Sequence, residues 1–156
     1  MVCSREGDRV NYVSASALLE ACVGRVVSRI DRVFYVRGQE VQRDVGAVEL
    51  IFDGGEVLSL DVGSDGESLR VESTPWVDEF EQHPAEENLM FVRTHGKWTR
   101  FLVSDASPYR EFTGRIVDRV DTVLSPSGKL IGAIFWVAGH VLRIDVEADD
   151  LYVQVT

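Results

Sequence analysis

A ten-residue stretch that occurs twice constrains this chain more than any other feature. Gly24-Arg25-Val26-Val27-Ser28-Arg29-Ile30-Asp31-Arg32-Val33 returns ninety positions later as Gly114-Arg115-Ile116-Val117-Asp118-Arg119-Val120-Asp121-Thr122-Val123, with six of the ten residues identical and two more exchanging Val and Ile. The echo continues downstream. Val45-Gly46-Ala47-Val48 answers Ile131-Gly132-Ala133-Ile134, Val57-Leu58-Ser59-Leu60-Asp61-Val62 answers Val141-Leu142-Arg143-Ile144-Asp145-Val146, and Leu69-Arg70-Val71 answers Leu151-Tyr152-Val153. A unit repeated at this spacing predicts one supersecondary structure built twice.

Within the unit, apolar residues alternate with charged ones, the period of a half-buried strand. Glycine-rich turns such as Asp53-Gly54-Gly55, Gly63-Ser64-Asp65-Gly66-Glu67 and Ala138-Gly139 punctuate the strands. The predicted strands run over about 24–36, 44–52, 56–62 and 68–73, then 115–124, 130–137, 140–146 and 150–155. Short helical turns at 14–22 and 107–114 precede the two copies, each ended by a glycine, Gly24 or Gly114. The alternation predicts that Val26, Ile30, Leu58, Leu60, Ile116, Val120, Leu142 and Ile144 face inward. The expected fold is mainly β: two duplicated four-stranded antiparallel meanders, residues 14–73 and 107–156, packed about a pseudo-twofold into one sandwich or barrel-like domain.

Residues 74–106 belong to neither copy. Thr74-Pro75-Trp76-Val77-Asp78-Glu79-Phe80-Glu81-Gln82 predicts a short helix with Thr74 as cap and acids in its first turns. Beyond it, 88–94 and 97–104 predict a hairpin turning at His95-Gly96. From Asp61 to Glu87 the chain carries nine carboxylates and a single arginine, Arg70. Trp76 and Phe80 are interleaved with them. Acids steer a basic protein and aromatics anchor it, so Trp76, Asp78, Glu79, Phe80, Glu81, Glu86 and Glu87 are the candidate partner-binding residues.

Charge narrows the partners further. A net charge of −10 over 156 residues argues against nucleic acid and anionic membrane, both of which call for a basic surface. No apolar run reaches the length of a membrane span or a signal peptide, which makes a cytoplasmic protein the expectation. Cys3 and Cys22 lie in no CxxC or Cys/His cluster and read as free thiols.

Catalytic signatures are missing. There is no GxSxG, no Gly-rich phosphate loop and no cysteine beside a base, so neither catalytic residues nor a cofactor is expected. Asp61 to Glu72 has acids at the first, fifth and last positions of a calcium-loop spacing, but Gly63 stands where the third ligand is needed and the flanks read as strands. A hairpin turn accounts for the same residues, and no metal site is expected. His83, His95 and His140 fall in separate predicted loops and turns. Arg25, Arg29 and Asp31, repeated as Arg115, Arg119 and Asp121, predict a charge ladder on the outward face of each sheet.

Gly-Arg-Val-Val-x-x-Ile-Asp-x-Val followed by Val-Gly-Ala-Val-Glu-Leu-Ile-Phe-Asp-Gly-Gly, in a small acidic β protein, resembles some immunity proteins of bacterial toxin systems and several bacterial domain families of unknown function. The resemblance implies an inhibitor role and assigns none to an individual residue. Together these features favour a non-enzymatic binding protein that masks a basic partner such as a nucleic-acid-acting toxin. A structural module that self-associates, as a homodimer or through strand edges, is the alternative, and a small-molecule or metal binder using a cavity between the copies is a third.

Overall fold

The computed structural model describes residues 15–82 and 85–156, so Cys3, His83 and the polar lead-in lie outside the described residues. The fold is mainly β. In chain order come a helix over 15–20 (α1), strands Val27–Arg37 (β1), Glu40–Gln42 (β2), Val48–Phe52 (β3), Val57–Val62 (β4) and Leu69–Glu72 (β5), helices Glu79–Gln82 (α2) and Glu86–His95 (α3), and strand Lys97–Leu102 (β6). A 3-10 turn, Tyr109–Phe112, leads into Val117–Leu124 (β7), Leu130–Val137 (β8), His140–Glu147 (β9) and Asp150–Val155 (β10).

Two antiparallel sheets form. In sheet one β1, β3, β4 and β5 are successive neighbours, and in sheet two β7, β8, β9 and β10 repeat that connection. One hydrophobic core spans both: Ile30, Leu50, Leu58 and Leu60 from sheet one meet Ala133, Phe135, Leu142 and Ile144 from sheet two, with Leu19, Cys22 and Phe112 closing an end. Each fully buried aliphatic side chain contributes about 1.5–3 kcal/mol, which makes this layer the main source of stability. Burial also pushes the Cys22 thiol up to about 11, so it is an inert packing residue.

The expected inward set holds at Ile30, Leu58, Leu60, Leu142 and Ile144, all buried, and at Val120, half-buried against the same core, and fails at Val26 and Ile116. The cause is a β-bulge in the first strand of each sheet. Register shifts between Val27 and Arg29 against β3, and between Val117 and Arg119 against β8. A bulge adds one residue and reverses the parity behind it. Val27 and Val117, at 1% and 0% exposure, therefore point inward, Val26 is half-buried, and Ile116 is 51% exposed.

Val26 and Ile116 instead face each other across an isolated antiparallel bridge. Around it the Gly24 amide donates to the Val117 carbonyl and the Gly114 amide to the Val27 carbonyl, at 2.8 and 2.7 Å. The Val27 amide donates to Arg115 and the Val117 amide to Arg25, both at 2.9 Å. Shifting every number by ninety maps these four bonds onto themselves, a local twofold relation between the sheets.

Register also moves one sequence match by a residue. Asp31 pairs with Glu49 while Asp121 pairs with Ile134, so Glu49, and not Val48, occupies the place of Ile134. The predicted 44–52 strand shortens to β3, Val48–Phe52, and a separate short strand, β2, pairs with the end of β1; Gly46, ahead of β3, has φ 139°, where a Cβ would collide with the Val33 carbonyl.

The predicted hairpin of 88–104 is corrected. Residues 86–95 form α3, and β6 pairs with β1 along Asp31↔Leu102, Val33↔Arg100 and Tyr35↔Trp98. Leu89, Met90 and Arg93 favour helix, and Glu86 and Glu87 at its start with Arg93 and His95 at its end suit the helix dipole. His95 thus ends a helix and is not a hairpin turn.

Candidate protein-interaction surface

From β5 the chain crosses the outer face of sheet one as a strap, 73–78, before entering α2. Three contacts fix it. The Ser59 hydroxyl donates to the Thr74 carbonyl at 2.6 Å, Arg100 donates to the Trp76 carbonyl at 2.6 Å, and the Lys97 ammonium lies 2.5 Å from the Asp78 carboxylate. Asp78, and not Thr74, caps α2: its Oδ1 accepts from the amides of Phe80 and Glu81 at 2.9 and 3.3 Å. Burial alone would raise the Asp78 pKa, but the Lys97 contact and the two amides outweigh it and hold the carboxyl below its ordinary range. The predicted helix of 74–82 shrinks accordingly to Glu79–Gln82.

Helix α3 lies beyond, and none of its described side chains is buried. Phe91 stacks on Phe80 at 5.9 Å between ring centroids with planes 11° apart, and on its other neighbour His95 at 4.7 Å. Gly96, at φ 82°, turns the chain into β6 so close to β1 that a side chain would strike the Val36 carbonyl. Leu89, Met90 and Phe91 are 51%, 62% and 50% exposed, and Val77 in the strap is 48% exposed. Glu79, Glu81, Glu86 and Glu87 are exposed and form no ion pair among the described residues. The result is an exposed apolar segment, its side chains spread about 100° apart around α3, accompanied by acids.

Of the seven predicted partner-binding residues, four carboxylates, Glu79, Glu81, Glu86 and Glu87, are free to meet a partner. Asp78 also has a structural role, since both its oxygens bond within the chain. Trp76 and Phe80 are half-buried, the first under the Arg100 guanidinium at 5.8 Å and the second under Phe91. The apolar members assigned to a strand, Leu89, Met90 and Phe91, were missed because their helix was missed.

Beneath the strap lies a polar cluster that the sequence did not single out. Asp31 and Glu49 are cross-strand partners with 2% and 1% exposure. Arg100 donates to Glu49 through Nε at 3.0 Å and Nη2 at 2.5 Å, and its Nε lies 3.8 Å from Asp31. Arg29 pairs with Asp31 at 3.0 Å. Arg32 turns instead into the core side, where it donates to the carbonyls of Ala47 and Gly46 and to the Tyr109 hydroxyl at 3.2, 3.0 and 2.7 Å. Burial lowers its pKa, and Tyr109 offsets part of that. A glutamate within Val48-Glu49-Leu50-Ile51-Phe52 was the available signal, because a lone charge in an apolar strand needs a buried partner.

The Asp61–Glu72 turn uses its acids locally. Asp65 accepts from the Ser68 and Glu67 amides and the Ser68 hydroxyl, which hold it well below the usual carboxylate range, and Lys129 bridges Asp65 and Glu67 at 3.3 and 2.8 Å. Among the described residues no three potential metal ligands converge, and no helix is long and apolar enough to cross a membrane. Compared with known proteins, the chain matches no family model, no curated protein and no solved structure, so the surface is read from its own residues.

Proposed function

We propose that this is a non-enzymatic binding protein whose insertion, 74–96, docks a basic protein and masks it, most concretely a toxin whose active site handles nucleic acid. The observation that carries the reading is the exposed apolar segment of α3: Leu89, Met90 and Phe91, each at half exposure or more, accompanied by four glutamates that form no ion pair among the described residues. Hydrophobic anchors set the lifetime of a complex and surrounding charge sets how fast it forms. A net charge of −10 extends the attraction for a basic partner beyond these glutamates. The resemblance to immunity proteins points the same way.

Association kinetics with a basic, nucleic-acid-acting toxin as partner test the reading. Glu79→Gln, Glu81→Gln, Glu86→Gln and Glu87→Gln together should slow association and flatten its salt dependence, with a smaller effect on dissociation. Phe91→Ala and Met90→Ala should raise the dissociation rate, by about 2 kcal/mol or more at a hot spot, while the melting temperature stays put. An unchanged salt dependence in the four-site variant would remove the reading.

A second observation favours self-assembly. The outer face of sheet two carries Trp136, next to the edge strand β7 with Leu124 at 45%, and Tyr152 on the opposite edge strand, β10, each aromatic 38% exposed. A concentration-dependent dimer in sedimentation that Trp136→Ala abolishes would support that alternative.

A further inference from the structure

A cavity of about 160 Å³ opens where the strap, β6 and the β9–β10 turn meet. It is lined by Trp76 and Trp98, by Asp61, Asp149 and Asp150, and by Val33. No lysine, arginine or histidine lines it. Trp98, 41% exposed, and Asp149, also exposed, bring its mouth to solvent.

The parts are held firmly. The Gly46 amide donates to the Leu151 carbonyl and the Asp149 amide to the Gly66 carbonyl, both at 3.0 Å, which pins the β9–β10 turn against sheet one. Ala148 and Asp149 take positive φ, 49° and 70°, as a tight hairpin turn requires. Gly66 leaves the room that the Asp149 carboxylate fills, since a Cβ there would collide with Asp149 Oδ1.

Charge in the cavity is unbalanced. Asp149 and Asp150 have no ion-pair partner among the described residues. Asp61 has only Arg70, 3.4 Å away, which Glu72 shares at the same distance. Burial raises the Asp61 pKa, so its ionised form lacks the solvation it would have in water.

Two tryptophans beside acids of which Asp149 and Asp150 form no ion pair among the described residues favour a cation that sheds water readily. A hard metal ion is a poor match, because it needs several converging oxygens and no such set exists among the described residues. A planar guanidinium suits both residue types, stacking on indole and forking to carboxylate. The chain supplies its own precedent: Arg100 lies over Trp76 and Arg119 over Trp136, at 5.8 and 5.6 Å.

We propose that this cavity is a binding site for an alkylguanidinium group, carried either by an arginine side chain of another protein or by a free guanidino compound. The site stands apart from the exposed segment of α3, and its test separates the two. With Trp136→Phe as background, the chain's remaining indoles are Trp76 and Trp98, and their fluorescence reports on the cavity. The full-length protein is titrated at constant ionic strength with acetyl-arginine-amide, agmatine, acetyl-lysine-amide and sodium chloride.

A saturable change with the guanidinium probes, at lower concentration than with the lysine probe, is expected. Asp61→Asn and Asp150→Asn, each checked by melting temperature, should weaken it about tenfold, the effect of losing one charge-assisted contact. Glu86→Gln with Glu87→Gln should leave it unchanged. Tighter binding of acetyl-arginine-amide identifies a protein side chain as the source, and tighter binding of agmatine a small molecule. No saturation below about 10 mM, an equal response to sodium chloride, or full binding by both aspartate variants would overturn the proposal.

Discussion

The two sheets carry the same ion pair on their outer faces and treat it differently. Arg29 meets Asp31 at 3.0 Å in sheet one, and Arg119 meets Asp121 at 2.8 Å in sheet two. Yet the Asp31 side chain is 2% exposed and that of Asp121 32%. Across the strands Asp31 faces Glu49, whereas Asp121 faces Ile134 and accepts from the Trp136 indole at 3.0 Å. The strap crosses the first face, and β6, from the same insertion, brings Arg100 over it. A two-residue sequence pattern therefore sets the ion pair, while a distant insertion decides whether it sits in water or under cover. Covered charge must be matched within the protein, and exposed charge is matched by solvent.

Removing a covering base should produce the largest effect. Arg100→Met leaves Glu49 without its donor and Asp31 with Arg29 alone, and should cost about 3–5 kcal/mol in a urea melt. Arg119→Met in sheet two should fall within the error of the same measurement. Equal losses at the two sites would break the comparison.

The next effect tests what the sheets share. Val27→Ala and Val117→Ala should each cost about 2 kcal/mol, because the bulge turns both into the core. Ile116→Ala, one residue away, should stay within about 0.5 kcal/mol. The reverse ranking would place the bulges wrongly.

The smallest effect concerns the strap latch. Asp78→Ala removes the α2 cap and the Lys97 tie and should cost about 1–2 kcal/mol at neutral pH. Because the folded pKa of Asp78 lies below its unfolded value, that stabilisation is complete above the ordinary carboxylate range and is lost as pH falls through the depressed folded value. Thermal melts of wild type and variant should therefore converge in acid. A gap that widens instead would contradict the latch.

Much of the β framework was legible because alternation and turn glycines are local signals: Leu58, Leu60, Leu142 and Ile144 lie where parity places them. The bulges were not, since Ser28 and Asp118 look like ordinary strand residues and only pairing with β3 and β8 reveals the extra position. In the insertion, the apolar run Leu89-Met90-Phe91-Val92 imitates a strand, and its helical state follows from flanking acids and Gly96. The run of acids was readable as charge density, but Asp78's capping role needed coordinates. Asp31 and Glu49 were assigned to the correct face or passed over, and nothing local announces that residues 73–78 lie across it.

The central claim is that the insertion covering sheet one is the working surface and the uncovered face of sheet two is not. Hydrogen–deuterium exchange on the full-length protein, free and mixed with a basic, nucleic-acid-acting toxin as partner, tests it most directly. The account predicts added protection in 77–92, over the strap end, α2 and α3, with exchange across 132–145 unchanged. Protection confined to sheet two, around Trp136 and Tyr152, with 77–92 exchanging as in the free protein, would contradict it.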